Sequence, residues 1–303
     1  MKKIFLMTLL FFASVVMFAQ QDSQFTQYMY NTANVNPAYA GSRGVLSVFG
    51  LHRNQWVGLD GAPVTNTFAL NSPIGYSGLG VGVSFVGDRI GPTNNNTISA
   101  DLSYTIPVST FYDLSFGIKG SANLFSLDTG KLHIYDQSDA NLTSVNNDFS
   151  PNIGAGVYLY SHNTYFGLSV PAFLQTSKYA DNDRAVYLDK MHLYLIGGHV
   201  FDLSPSVQFK PAFLLKATQG APLQLDLSGN FMFNEKFVVG GSWRWGAAVS
   251  AMAGFQVTKG MFIGYGYDHE TTNLTHYNSG SHELFLRFEL VKKAGGMITP
   301  RFF

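Results

Sequence analysis

The chain has 303 residues, a formal net charge of zero, 13% charged residues, 15% aromatic residues, 31 glycines and no cysteine. The balanced charge argues against a nucleic-acid partner, and the missing cysteine excludes disulfides, thiolate metal sites and a lipid anchor attached to cysteine. So few charges cannot solvate the surface of an ordinary globular protein, while the apolar content is too high for a disordered chain.

The first 19 residues have the pattern of a secretory signal peptide. Lys2 and Lys3 form a basic start, residues 4–18 are apolar, and Ala19 is a small residue suited to cleavage before Gln20. The apolar run is shorter than the roughly 18 residues that a spanning helix needs. We therefore predict an exported protein whose mature chain begins at Gln20.

The rest of the chain has no apolar run of spanning-helix length, but it has many segments that alternate with a period of two residues. In residues 98–106, for example, Ile98 and Tyr104 lie on one face and Ser99 and Asp101 on the other. Only helices and closed barrels can span a bilayer. The pattern therefore predicts an all-β fold, a transmembrane outer-membrane β-barrel.

About fourteen antiparallel strands are predicted, each close to the roughly 9–11 residues that cross a bilayer at a tilt. The candidate strands are 45–53, 64–71, 78–87, 97–106, 113–125, 152–160, 164–173, 190–201, 206–217, 223–233, 237–245, 247–257, 261–268 and 281–291. Bacterial barrels alternate short periplasmic turns with longer extracellular loops. Long odd-numbered connections are expected near 54–63, 88–96, 126–151, 174–189 and 269–280, with residues 94–96 forming a polar loop tip.

The domain boundaries follow from where the alternation begins and ends. Residues 1–19 are the signal peptide, 20–44 an N-terminal segment in the periplasm or the lumen, 45–291 the barrel and 292–303 a C-terminal tail. A soluble β-sandwich would also alternate, but its solvated face is rich in charge. Here the polar face is largely Gly, Ser, Thr and Asn, and aromatic residues are spaced as in a membrane girdle, namely Trp243, Trp245, Tyr265 and Tyr267.

The acid–base candidates near the thirteenth connection do not form a convincing catalytic site. They are Asp268, His269, Glu270, His276, His282 and Glu283, but adjacent strand residues point to opposite faces, and no serine lies in a recognisable nucleophile motif. The acidic residues of the longest loop lack the spacing of a calcium site. We predict no enzyme activity, no cofactor and no bound metal.

Three pairs of glycines lie within strands, opposite apolar residues, where glycine normally weakens a sheet. They are Gly80 and Gly82, Gly154 and Gly156, and Gly264 and Gly266. One hypothesis is that they let the N-terminal segment, or the chain of a partner, approach the barrel wall closely. The alternative is that they only permit curvature of the barrel.

The most specific motifs are NPAYAG at 36–41, QWVG at 55–58, GAP at 61–63 and GSHE at 280–283. In this order and spacing the chain resembles the PorP/SprF family of type IX secretion and gliding proteins of the Bacteroidetes. The resemblance implies a non-enzymatic outer-membrane barrel that binds the C-terminal sorting domain of a secreted protein or adhesin. It also implies delivery or anchoring at the cell surface, with periplasmic peptidoglycan-binding and secretion-motor proteins as further partners beside the outer-membrane lipid.

The predicted topology brings these motifs together at one end of the barrel. If Gln20 lies on the periplasmic side, odd connections face outward, and the first and last strands are neighbours by closure. We expect a docking patch at the extracellular mouth with Trp56 as its anchor, because aromatic residues dominate binding hot spots. The alternative is that the motifs only close the barrel and order loops. The candidate partner-binding residues are Gln55, Trp56, Asp60, Asp88, Arg89, His282 and Glu283.

A passive or substrate-specific pore is the alternative function. Asp101, Lys119, Asp226 and Arg244 are expected to face inward, as in a polar lumen. Conductance in planar bilayers distinguishes a pore from a plugged interaction barrel.

Overall fold

The computed structural model describes residues 25–131, 144–180, 184–188 and 190–290, with side chains left undescribed at 177–180 and 184–188. The predicted signal peptide and the predicted C-terminal tail lie outside the described residues. Among those residues, no helix is long and apolar enough to cross a membrane.

The described strands form one closed antiparallel barrel of fourteen staves. Its seam joins β1 to β17 in register from Ser47↔Glu289 to Asn54↔His282, and β10 pairs with β12. β10 and β11 both pair with β12 and form one interrupted stave. The barrel strands are β1 (Ser47–Asn54), β2 (Val64–Pro73), β3 (Leu79–Ile90), β4 (Thr93–Pro107), β5 (Asp113–Leu127), β6 (Val145–Tyr160), β7 (Thr164–Val170), β10 (His192–His199), β11 (Phe201–Ser204), β12 (Val207–Thr218), β13 (Gln224–Phe233), β14 (Phe237–Arg244), β15 (Ala248–Thr258), β16 (Met261–Glu270) and β17 (Ser281–Glu289).

The remaining elements are short. A separate hairpin of β8 (Ser177–Ala180) and β9 (Arg184–Leu188) lies in the seventh connection. Helix α1 (Thr32–Val35) precedes the barrel, and 3₁₀ turns occupy Pro37–Tyr39, Thr129–Lys131 and Asn273–His276.

The prediction of a fourteen-stranded barrel is confirmed, but the third and fifth connections are shorter than predicted, the fifth because β6 already begins at Val145. The third connection, expected at 88–96, is a tight turn at residues 91–92, and the expected loop tip at 94–96 lies inside β4. Gly91 has φ +53°, which permits this turn, and the three asparagines pair across the ladder with residues 87–89. Polar composition suggested a loop, but the pairing of these residues with β3 determined the outcome.

The two faces of the wall have opposite chemistry. Apolar side chains such as Val83, Ile98 and Ile118 are about half exposed on the outer surface, where lipid covers them. The four charged residues that were predicted to face inward are buried and form cross-strand ion pairs. Lys119 pairs with Asp101 at 3.5 Å, and Arg244 pairs with Asp226 at 3.0 Å. A lipid bilayer is therefore the environment in which this surface is stable.

Candidate functional site

Residues 25–44, called the lumenal segment from here on, lie inside the barrel. Most of their side chains are buried, and they contact strands on all sides of the wall. Three wall side chains donate hydrogen bonds to segment carbonyls: Ser103 Oγ to Ala40 O at 2.6 Å, Lys119 Nζ to Asn34 O at 3.2 Å, and Ser169 Oγ to Val35 O at 2.8 Å. The segment's backbone is thereby held to β4, β5 and β7, although it forms no strand of its own.

Glycines in the wall give the segment its space. A Cβ atom on Gly80, Gly117 or Gly156 would collide with the backbone at Ala40, the backbone at 37–38 and the Asn36 side chain respectively. The hypothesis of close approach is thus confirmed at Gly80 and Gly156. Gly117 was missed, because it has no glycine partner two residues away.

The other glycines of the predicted pairs differ in what they approach. Gly82 and Gly266 also face the segment, with a Cβ position 3.5 Å from Ala40 Cβ and 3.0 Å from Gln27 Nε2. Gly154 instead faces the backbone of Pro171, and Gly264 faces the Phe285 ring. These last two accommodate neighbouring parts of the wall, not the segment.

The beginning of the lumenal segment is attached to an acidic clamp, defined as Arg53, Asp268 and Glu283. The Glu283 carboxylate accepts hydrogen bonds from the backbone N–H groups of Thr26 and Gln27, both at 2.9 Å. Asp268 accepts from the Thr26 hydroxyl at 2.6 Å, and Arg53 donates to Asp268 at 2.6 Å and to Glu283 at 3.2 Å. All three clamp residues are buried, so their charges act in a low dielectric and need these partners.

The register fixes the end of the barrel at which the segment begins. Arg53, Asp268 and Glu283 lie near the ends of β1, β16 and β17 that carry the first and thirteenth connections. At the same end, Arg244 donates to Phe25 O at 3.3 Å. Ala40, in contrast, contacts β3 and β4 at their opposite ends, so the lumenal segment runs along the lumen from the mouth to the start of β1.

The first and thirteenth connections are joined at the mouth by backbone hydrogen bonds. Val57 N donates to Gly280 O at 2.9 Å, and Ser279 N donates to Val57 O at 2.8 Å. Gly91 N in the third connection also donates to Gly61 O in the first, at 2.8 Å. Three connections that are distant in sequence thus form one continuous surface, called the mouth patch from here on.

Trp56 lies in the first connection, within this patch, in a strained conformation. Its φ is +50°, which is unusual for a bulky residue. The backbone N–H donates to Ser281 Oγ at 3.2 Å, and the indole Nε1–H donates to Glu270 at 3.1 Å. The side chain is half-buried, so part of the ring remains available to a partner.

The other predicted partner-binding residues do not all lie on the surface of the mouth patch. Asp60 and Arg89 are exposed on the mouth patch, and the backbone of Gln55 closes the first connection by donating to Pro63 O. Asp88 instead faces the lumen and accepts from the Thr65 hydroxyl at 2.6 Å.

His282 and Glu283 point in opposite directions, as neighbours on a strand must. The His282 ring lies on the outer face and hydrogen-bonds the Tyr265 hydroxyl at 2.5 Å. Glu283 is fully buried in the lumen and bound to the segment. The interpretation of Glu283 as a docking residue is therefore corrected, since its carboxylate is used within the chain.

Two of the acid–base candidates, Asp268 and His269, lie on opposite faces of β16. Asp268 points inward to Arg53, whereas His269 is exposed on the outer face. Within the described part of the chain, no group of three His, Asp or Glu side chains could hold a metal ion.

A family model described as type IX secretion system membrane protein PorP/SprF matches residues 17–288. No curated protein matches the chain. Among solved structures, the Ralstonia pickettii toluene transporter TbuX is 10% identical with a TM-score of 0.51, and the alignment covers 85% of this chain and 92% of that one. The Acinetobacter baumannii outer membrane protein Omp33 is 10% identical with a TM-score of 0.47, covering 81% and 98%. At such identity, the likeness to TbuX indicates the barrel fold alone.

Proposed function

We propose that this protein binds the C-terminal sorting domain of a secreted partner at the mouth patch. The premise is that the chain belongs to the PorP/SprF family and is therefore an outer-membrane component of the type IX secretion system. By this binding the protein delivers or anchors that partner, such as an adhesin, at the cell surface without enzymatic chemistry. The observation that carries the proposal is the joining of three connections around Trp56 into one surface.

The patch has the features of a preorganised binding surface. Its backbone is fixed by hydrogen bonds between connections, so little conformational entropy is lost when a partner docks. It also presents an aromatic ring at Trp56 beside charged side chains at Asp60 and Arg89. Strain such as that at Trp56 persists where the surrounding structure enforces it, which is common at binding sites.

The lumenal segment favours an interaction barrel over the alternative of a passive pore. A porin keeps a water-filled channel, whereas here residues 25–44 pack against the wall along the length of the lumen. Periplasmic peptidoglycan-binding and secretion-motor proteins would meet the opposite end of the barrel, where the short even-numbered turns lie.

Replacing Trp56 tests the docking site. We expect Trp56→Ala to reduce co-purification of the secreted partner from detergent-solubilised outer membranes at least about tenfold, as for a hot-spot residue. Mass spectrometry of the pull-down identifies the partner and its C-terminal domain. Unchanged retention by Trp56→Ala would refute docking at this patch.

The matched control is Trp245→Ala. Trp245 is an exposed aromatic residue at the same end of the barrel but in the eleventh connection, outside the mouth patch. The Trp245→Ala variant should co-purify with the secreted partner as the wild type does. Arg89→Glu provides a second variant on the exposed part of the patch, where a charge reversal cannot disturb the lumen.

A further inference from the structure

A second buried cluster lies at the end of the barrel opposite the mouth, where the lumenal segment joins β1. Arg43, near the end of the segment, forms an ion pair with Glu289 at the end of β17. Arg287 also reaches Glu289, with its Nε 3.5 Å from the same carboxylate oxygen. Both guanidinium groups are nine-tenths or more buried, so two buried cations share one carboxylate.

Several donors in this cluster have no acceptor in hydrogen-bonding geometry among the described residues, while the Tyr39 side chain also interacts with Arg43. The Arg43 Nε–H and Nη1–H groups and the Tyr30 hydroxyl are all buried without a hydrogen-bond partner there. Burial raises the pKa of the Tyr30 hydroxyl above its ordinary value, so at neutral pH this group is an O–H donor. Buried unpaired donors and an uncompensated buried charge are both costly.

Two basic side chains lie beside the Tyr30 ring. The Tyr30 ring lies 5.6 Å from the Arg287 guanidinium carbon and 4.8 Å from Lys210 Nζ. Lys210 is fully buried at this position. A water molecule there would bring two further O–H donors that themselves need acceptors, whereas an anion only accepts hydrogen bonds.

We propose that a small inorganic anion, such as chloride, binds beside the Arg43 guanidinium, accepting from its Nε–H and Nη1–H groups and from the Tyr30 hydroxyl. The anion neutralises the excess charge of two arginines that share Glu289. It thereby holds the end of the lumenal segment against β17, at the seam of the barrel. The site is independent of partner docking at the mouth patch.

Bromide serves as the probe, because its anomalous scattering locates it directly. Crystals of the full barrel grown with sodium bromide should show an anomalous peak within hydrogen-bond distance of Arg43. In detergent, the thermal unfolding midpoint should rise saturably with chloride or bromide, compared with gluconate at equal ionic strength, because a ligand that binds the folded state stabilises it.

Three variants distinguish specific binding from general salt effects. Tyr30→Phe removes one donor and should raise the half-saturating bromide concentration about tenfold, and Arg43→Gln should abolish the saturable response. Lys259→Gln removes an exposed cation from a turn at the same end and should respond as the wild type does. If Arg43→Gln does not assemble, the bromide response of Tyr30→Phe still tests whether the anion binds beside Arg43.

The opposite results would overturn the proposal. They are a crystal without an anomalous peak at Arg43, or unfolding midpoints that are the same in gluconate and bromide. A bromide response that Tyr30→Phe leaves unaltered would place the anion elsewhere.

Discussion

At the level of single residues, Glu283 carries the attachment of the lumenal segment at the mouth. One carboxylate accepts from two successive backbone N–H groups and from Arg53. Such charge-assisted hydrogen bonds are stronger than neutral ones, and in a buried site the loss of one partner leaves the others uncompensated. Glu283 therefore stabilises the barrel by holding the lumenal segment against its wall.

We expect Glu283→Gln to lower the stability of the folded barrel by about 2–4 kcal/mol, because the amide keeps the shape but leaves Arg53 without one of its charged partners. Heat-modifiability on gels, recorded as the folded fraction against temperature, measures the change. The control Glu235→Gln, in an exposed turn, should leave the midpoint unchanged. Equal midpoints for both variants would show that the clamp does not stabilise the barrel.

At the level of elements, the lumenal segment has almost no regular structure, and its position depends on the wall. Its only helix, α1, has four residues, and the 3₁₀ turn that follows packs against β4, β5 and β6. The wall needs glycine, which lacks a Cβ atom, where the lumenal segment passes close to it, for example at Gly117 next to residues 37–38. The strand and the segment thus constrain each other.

We expect Gly117→Ala to displace the segment at residues 37–38 and to destabilise the barrel by about 1–3 kcal/mol, as overpacking does. Gly120→Ala on the same strand is the matched control, since it faces outward and its added Cβ meets nothing within 4 Å. Hydrogen exchange of the amides of residues 25–44, followed by mass spectrometry, should increase for Gly117→Ala only. Identical protection in the two variants would contradict the packing described here.

At the level of the whole molecule, a barrel of fourteen strands encloses a lumen, and the lumenal segment runs along it beside a cavity of about 210 Å³ lined by residues such as Asp88, Lys119 and Asp226. The outer surface faces lipid and the lumen holds buried charges in pairs. The segment is attached at the mouth by the acidic clamp and at the opposite end by Arg43. The lumenal segment is therefore fixed at both ends of the barrel.

We expect the wild-type barrel to show no steady conductance in planar bilayers, and a variant lacking residues 20–44 to conduct ions, because the deletion removes the chain that runs along the lumen from one end to the other. The double variant Asp268→Asn with Glu283→Gln releases only the mouth end and provides a second test if the deletion fails to insert. Wild-type conductance equal to that of the deletion would favour the pore alternative.

The sequence by itself determined that the chain forms a barrel of about fourteen strands. A two-residue period is imposed by the pleat, so Ile98 and Ser99 had to face opposite sides, and inward Asp101 and Lys119 followed from the same rule. The motifs around Trp56 and Gly280 indicated the family, which the family model then confirmed. Closure of the sheet made the first and last strands neighbours, which brought those motifs together.

Only the tertiary structure decided what the inward residues do. Thr26, Arg53, Asp268 and Glu283 are separated by up to 257 positions, and no local pattern relates them. Residues 25–44 have neither period nor propensity that would position them, because their location depends on contacts with distant strands. Alternation fixes the face on which a side chain lies, but its partner depends on how the closed wall brings distant strands together around the segment.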